Sequence, residues 1–162
     1  VVGLSVVDGG GAVVDDAGSM TGAVRIKGDG PALIAARIVG GGSVALDDGA
    51  VVDAGDVIQL GWVGGAADSA VAFSIDGRGT VTPHLGGGSA SPLSTSRGTL
   101  PASYALDDAP GFERFFLISG DDLDARDLLA RAQRLARGGR ADVDELPLPP
   151  GARASTLLLR KR

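Results

Sequence analysis

Short apolar runs, separated by turns rich in glycine and aspartate, follow one another through most of this chain. One clear case is the pair formed by residues 70–75 and 80–84, which flank the turn Asp76-Gly77-Arg78-Gly79. An Asp-Gly turn between two β-rich runs is among the stronger hairpin signals in a sequence. The pattern therefore predicts an α+β fold made mostly of antiparallel strands, as a β-sandwich or an open barrel.

The order of the apolar runs also predicts which strands are neighbours. We expect three pairs: residues 24–27 with 33–39, 43–46 with 50–52, and 57–63 with 70–75. Side chains alternate between the two faces of a strand, which places Ile58, Leu60 and Trp62 together on the core-facing side. Trp62 is interpreted as a core residue rather than a platform for a ligand.

Two later segments complete the predicted sheet. Residues 86–98 are rich in Gly, Ser, Pro and Thr, a composition typical of a mobile loop. Residues 112–119 contain three of the four phenylalanines and are predicted to form a central, buried strand. Residues 155–159 are predicted to form a closing strand that ends in the basic tail Arg160-Lys161-Arg162.

One amphipathic helix is predicted between these two strands. Ser119 or Asp121 is a suitable N-cap, nearby aspartates favour the positive end of the helix dipole, and Gly138-Gly139 end the helix. Its apolar stripe has helical spacing and consists of Leu128, Leu129, Ala132, Leu135 and Ala136. The helix is expected to pack on the sheet and to present its arginines to solvent.

Composition excludes several classes of function. The chain has 162 residues, enough for one domain with a substantial core, and its net charge of −5 argues against a nucleic-acid partner. It has no cysteine, which excludes disulfides and thiolate metal sites. The 27 glycines show no Gly-X-Y period and are interpreted as the bias of a GC-rich genome.

The N-terminal part is predicted to differ from the rest of the chain. Residues 1–20 are expected to form a flexible arm, or one ordered by a partner, and residues 21–162 a single β-rich domain. The first seven residues are apolar, and no initiator Met precedes them. Two interpretations stay open: they end a transmembrane helix or signal that is absent from this chain, or they form an ordinary strand.

Candidate catalytic residues are few. His84 is the only histidine, so no cage of histidines can hold a metal, and a Ser-His-Asp triad would have to use this residue. We interpret His84 as a partly exposed residue at a strand end. The acidic pairs at 47–48, 107–108 and 121–122 adjoin turns or a helix start, where aspartate is expected for its hydrogen bonds to the backbone. The sequence therefore predicts a protein that is not an enzyme and needs no metal or cofactor.

Three blocks of the sequence, residues 54–60, 73–84 and 100–116, resemble the C-terminal domain of bacterial ActD-like proteins. This domain of unknown function is found beside anti-sigma-type zinc-binding modules and caspase-like peptidases. The shared motifs are a Gly-Asp strand, a hairpin of the form S-h-D-G-x-G-x-V-T, and a segment of the form L-P-x-x-h-x-L-D-D-x-x-G-x-E-R, followed by a helix and a last strand. With the helix and the last strand included, the resemblance covers about residues 22–160. The positions that match the motifs include Asp76, Gly77, Gly79, Leu106, Asp107, Gly111, Glu113 and Arg114.

The resemblance implies a membrane-tethered bacterial protein with this domain outside the cytoplasm, in the periplasm at the inner membrane. We expect a non-catalytic domain for sensing or protein interaction, with protein partners of unknown identity. The alternative is a structural subunit of a larger assembly, joined through strand edges or through the N-terminal arm. The candidate structural or partner-contact residues are Asp56, Trp62, Asp76, Gly77, Gly79, Asp107, Asp108, Gly111, Glu113 and Arg114.

The neighbours Glu113 and Arg114 give the most specific expectation. Adjacent strand residues point to opposite faces, so the two side chains cannot enter the same core. Arg114 is expected to pair with Asp107 or Asp108 and to hold the preceding loop against the strand. Glu113 is expected to point toward solvent or the rim of the sheet.

Overall fold

The computed structural model describes residues 13–14, 20–21 and 30–162 of the chain. It contains twelve strands and one helix within these residues. The strands are β1 (Val13–Val14), β2 (Met20–Thr21), β3 (Ala32–Val39), β4 (Gly42–Leu46), β5 (Val51–Val52), β6 (Val57–Val63), β7 (Ala67–Asp76), β8 (Val81–Leu85), β9 (Ser91–Leu93), β10 (Arg97–Ala105), β11 (Phe112–Gly120) and β12 (Arg153–Lys161). The helix, α1, spans Ala125–Arg137.

The strands form two sheets that pack as a sandwich, with the helix against the outer side of the second sheet. The first sheet has the order β10-β6-β3-β4-β1-β2, and the second has the order β5-β12-β11-β7-β8, with β9 also paired to β7. The pairs are antiparallel except for β5 with β12. The predicted mostly antiparallel α+β fold is confirmed as a sandwich that does not close into a barrel.

Two apolar layers hold the structure together. Between the sheets, the alternating residues Ile58 and Leu60 of β6 meet Phe115 and Leu117 of β11, and all four are at most 1% exposed. On the outer side of the second sheet, a second cluster joins the sheet to α1. Strand β11 lies between β12 and β7 and contributes to both layers, which confirms the prediction of a central buried strand.

The two layers also explain why two predicted strand pairs are wrong. Strand β4 pairs with β3, whereas β5 adds in parallel to the edge of β12 and buries Val52 between the sheets. Strand β6 pairs with β3 and β10, whereas β7 pairs with β11, β8 and β9 in the other sheet. Residues 70–76 of β7 are all buried, because one face meets the inter-sheet layer and the other meets α1. The predicted strand at 24–27 lies outside the described residues.

Local signals in the helix and loops are mostly confirmed. Gly138 caps the C-terminus of α1 as expected, and Leu128, Ala132 and Ala136 are its buried stripe. The N-cap is Asp124, whose carboxylate accepts hydrogen bonds from two backbone N–H groups, so the candidates Ser119 and Asp121 are wrong. The predicted loop at 86–98 contains β9, which is ordered by its pairing with β7.

Candidate functional site

A cleft opens where the edge strands β8 and β10 of the two sheets come together. Its volume is about 400 Å³. Side chains of β7 and β11 that point between the sheets form its inner wall, and residues of β8 and β10 form its sides. The site therefore exists because the inter-sheet core stops short of this end of the sandwich, where polar side chains replace apolar ones.

Two aromatic rings join the sides of this cleft. His84 of β8 and Tyr104 of β10 stack with their ring centroids 4.5 Å apart, and Phe115 lies beneath both rings at 5.8–5.9 Å. His84 Nε2 lies 3.0 Å from Ser74 Oγ on β7, within hydrogen-bonding distance. Burial lowers the pKa of His84 to about 4, so the ring is neutral at physiological pH.

The hydroxyl group of Tyr104 has no hydrogen-bond partner among the described residues, although its oxygen is buried. Burial raises the pKa of this hydroxyl, and the negative charge of Glu113 raises it further. The hydroxyl is therefore protonated and able both to donate and to accept a hydrogen bond. A buried polar group without a partner costs about 1–3 kcal/mol, which a suitable ligand group would recover.

A partly buried ionic cluster lies beside the aromatic pair. Lys161 Nζ of β12 lies 2.9 Å from Glu113 Oε2 and 2.7 Å from Asp107 Oδ1, and the lysine side chain is only 2% exposed. Burial acts to lower the pKa of Lys161, but its hydrogen bonds and ion pairs with the two carboxylates outweigh burial and raise it. The hydrogen bonds from Lys161 and from the Ala109 backbone N–H lower the pKa of Asp107. This cluster ties the end of β12 to β11 and to the loop after β10.

The expected surroundings of Glu113 and Arg114 are wrong. The side chains do point to opposite faces of β11, but Glu113 faces the space between the sheets and is 6% exposed. Arg114 faces the helix layer, where its guanidinium carbon lies 4.9 Å from the Phe116 ring centroid and Nη1 donates to the carbonyls of Ala141 and Asp144. Both faces of β11 are covered, so neither side chain is fully exposed to solvent. The cation that pairs with the carboxylates of Glu113 and Asp107 is Lys161 of the basic tail.

Three predicted residues form the tight turn that closes the β7–β8 hairpin next to the cleft. Asp76 Oδ1 accepts hydrogen bonds of 2.8 Å from the backbone N–H groups of Arg78 and Thr80. Gly77 is required by close approach, because a Cβ at this position would overlap the carbonyl oxygen of Pro110. Gly79 adopts a positive φ of +81°.

The other predicted residues lie at the rim of the cleft or away from it. Asp108 forms an exposed ion pair of 2.8 Å with Arg78, and Gly111 turns the chain into β11 with φ of +87°. Asp56 precedes β6 and pairs with Arg37 at 3.1 Å. Trp62 packs against the inter-sheet core as expected, and its Nε1 donates to the carbonyl of Thr95.

The cleft therefore brings together Asp76, Asp107 and Glu113 from the predicted set. Sequence reasoning missed that Ser74 and Tyr104 join them and that Lys161 pairs with two of the carboxylates, and it treated His84 only as a residue at a strand end. A hydroxyl in an otherwise apolar buried run was the one available signal for Ser74. The convergence of the others depends on which strands are neighbours, which local patterns do not reveal.

The described residues lack both a metal-binding cluster and a membrane-spanning helix. They contain no group of three or more His, Asp or Glu side chains placed to hold a metal ion. The one helix found in that part of the chain falls short of the length and apolarity needed to cross a membrane.

Comparisons of the whole chain with protein-family models, with curated proteins and with solved structures find no match. The resemblance to the ActD-like domain accordingly stays a prediction.

Proposed function

We propose that this chain is a non-catalytic protein-interaction domain that binds its partner in the cleft between β8 and β10. The observation that carries the proposal is a cleft of about 400 Å³ lined by Tyr104, whose buried hydroxyl has no partner among the described residues. Pockets of about 300–1,000 Å³ with a few convergent polar groups are typical of binding sites. A placement outside the cytoplasm and a membrane tether are part of this proposal, supported by the family resemblance alone.

Binding is a better account of the cleft than catalysis. Ser74 and His84 form a nucleophile–base pair in outline, but Ser74 is 0% exposed. Within the described residues, no carboxylate is hydrogen-bonded to the His84 ring to orient it, as a triad requires. The Ser74 hydroxyl instead forms a hydrogen bond with the ring of His84, which stacks on Tyr104.

The edge strands indicate how a partner would engage. Strand β8 contains Pro83 and β10 contains Pro101. A proline removes a backbone donor and discourages pairing of a further strand at a sheet edge. Recognition by a side chain that enters the cleft is therefore favoured over addition of a partner strand at these two edges.

A second candidate is a structural subunit of a larger assembly. Val39, Val44 and Val51, on β3, β4 and β5, are 47–52% exposed. Exposed apolar side chains of this kind are found at protein interfaces. Measurement of the solution mass with and without residues 1–20 tests this candidate, since a subunit joined through the arm would lose its higher-mass species on truncation.

The binding proposal is tested with a random peptide library selected on the wild-type domain. Ala102 lines the cleft and Ser103 does not, although both are exposed on β10. The Ala102→Tyr variant should block selected peptides and lower their affinity at least tenfold. The matched Ser103→Tyr variant should bind as the wild type does. A library that yields only peptides insensitive to Ala102→Tyr would refute the cleft as the interaction site.

A further inference from the structure

The cleft carries more negative than positive charge. Asp76, Asp107 and Glu113 line it, and the one cation in contact with these carboxylates is Lys161. Three carboxylates against one ammonium leave two negative charges. The rim pair of Arg78 with Asp108 adds one charge of each sign and so does not alter this balance.

The walls of the cleft suit a cation on an aliphatic stem. Pro83 and the stacked rings of His84 and Tyr104 supply an apolar surface that methylene groups can cover. The His84 ring is neutral because burial lowers its pKa to about 4, and it therefore adds no positive charge to repel a cation. An aromatic face is itself attractive to ammonium and guanidinium groups.

The Tyr104 hydroxyl is a second feature, independent of the charges, that points to a ligand. Tyr104 lines the cleft, and its buried hydroxyl oxygen accepts no hydrogen bond from the described residues. Ammonium and guanidinium groups are donors without acceptor capacity, so they match an oxygen that needs a donor. A carboxylate ligand would instead meet the net negative charge that Asp76, Asp107 and Glu113 leave after Lys161 is counted.

From these features we infer that the cleft binds the basic side chain of a lysine or arginine on the partner. This inference rests on the proposed function and names the chemistry that the same site recognises. The volume of about 400 Å³ is at the small end of ligand pockets, which suits one side chain rather than a whole folded element. The charged head would lie toward the carboxylates and the Tyr104 oxygen, and its stem along the rings.

The test uses nuclear magnetic resonance, because the chain has one histidine and one tyrosine and both lie in the cleft. Their ring resonances report on binding without ambiguity. The probes are arginine and lysine blocked as N-acetyl methylamides, compared with norleucine and glutamate blocked in the same way. We expect saturable shifts of both rings with the two basic probes, at least tenfold weaker binding of norleucine, and no binding of the glutamate probe.

A pair of variants distinguishes recognition of charge from nonspecific binding. Ala102→Lys places a positive charge at the cleft and should lower the affinity for the arginine probe about tenfold. Ser103→Lys adds the same charge outside the cleft and should leave this affinity unchanged. Equal binding of norleucine and arginine, or preferred binding of glutamate, would overturn the inference. The absence of any probe binding would overturn it too. In each of these cases, peptides from the library that Ala102→Tyr blocks would still support the proposed function, so the two failures are distinguishable.

Discussion

Protonation of His84 should destabilise the folded protein in mildly acidic solution. Burial lowers the pKa of this ring from 6.5 to about 4 in the folded state, so the unfolded chain takes up the proton first as the pH falls. Stability is therefore unaffected above about pH 6.5, falls between about pH 6.5 and pH 4, and levels off below that range. One pKa unit corresponds to about 1.36 kcal/mol, so the full effect is about 3 kcal/mol, of which about 2 kcal/mol is lost between pH 7.5 and pH 5.

Urea denaturation at pH 7.5 and pH 5 measures this loss in the wild type and in His84→Gln. The variant has no histidine, so the difference between the two proteins isolates the ring from the carboxylates, which titrate in both. We expect the free energy of unfolding to fall by about 2 kcal/mol more in the wild type than in the variant.

Titration of the single histidine by nuclear magnetic resonance gives the folded-state pKa directly. A midpoint near 6.5, together with equal pH dependence in the two proteins, would refute the placement of the ring between Tyr104, Phe115 and Ser74.

Three further changes test the surroundings of the cleft by urea or thermal denaturation. Gly77→Ala should lower the free energy of unfolding by at least about 2 kcal/mol, because the new Cβ would overlap the Pro110 carbonyl oxygen, whereas Gly88→Ala, with no atom within 4 Å, should change it by less than about 0.5 kcal/mol. Lys161→Ala should lower the free energy of unfolding by about 3–5 kcal/mol, because it leaves Glu113 buried without its cation. Arg160→Ala, at an exposed neighbouring residue, is the control. A decrease below about 1 kcal/mol in Lys161→Ala, similar to that of the control, would contradict this prediction. Deletion of residues 1–20 should lower Tm by less than about 5 °C, equivalent to about 1 kcal/mol, since β1 and β2 have two residues each; a larger fall would identify part of the arm as core.

Much of the secondary structure was predictable because it depends on local patterns. Alternation in β6 correctly placed Ile58 and Leu60 in the core, and the Asp76-Gly77 turn correctly predicted the β7–β8 hairpin. The amphipathic stripe and the glycine at its end predicted α1. These signals are properties of consecutive residues, whose side chains alternate or recur at fixed spacing whatever the rest of the chain does.

The assignment of strands to sheets, and with it the site, was decided only by the tertiary structure. Periodicity shows which residues share a face of a strand, but it does not show which strand lies beside it or what covers each face. Glu113 and Arg114 illustrate this limit: their opposite orientation followed from the sequence, whereas their partners depended on the inter-sheet layer on one side of β11 and the helix layer on the other. The cleft likewise required β8 and β10, the edges of different sheets, to meet, and required Lys161 to return from the end of the chain to the carboxylates of Asp107 and Glu113. Contacts between residues so distant in sequence arise from the packing of whole sheets, which no local pattern of residues encodes.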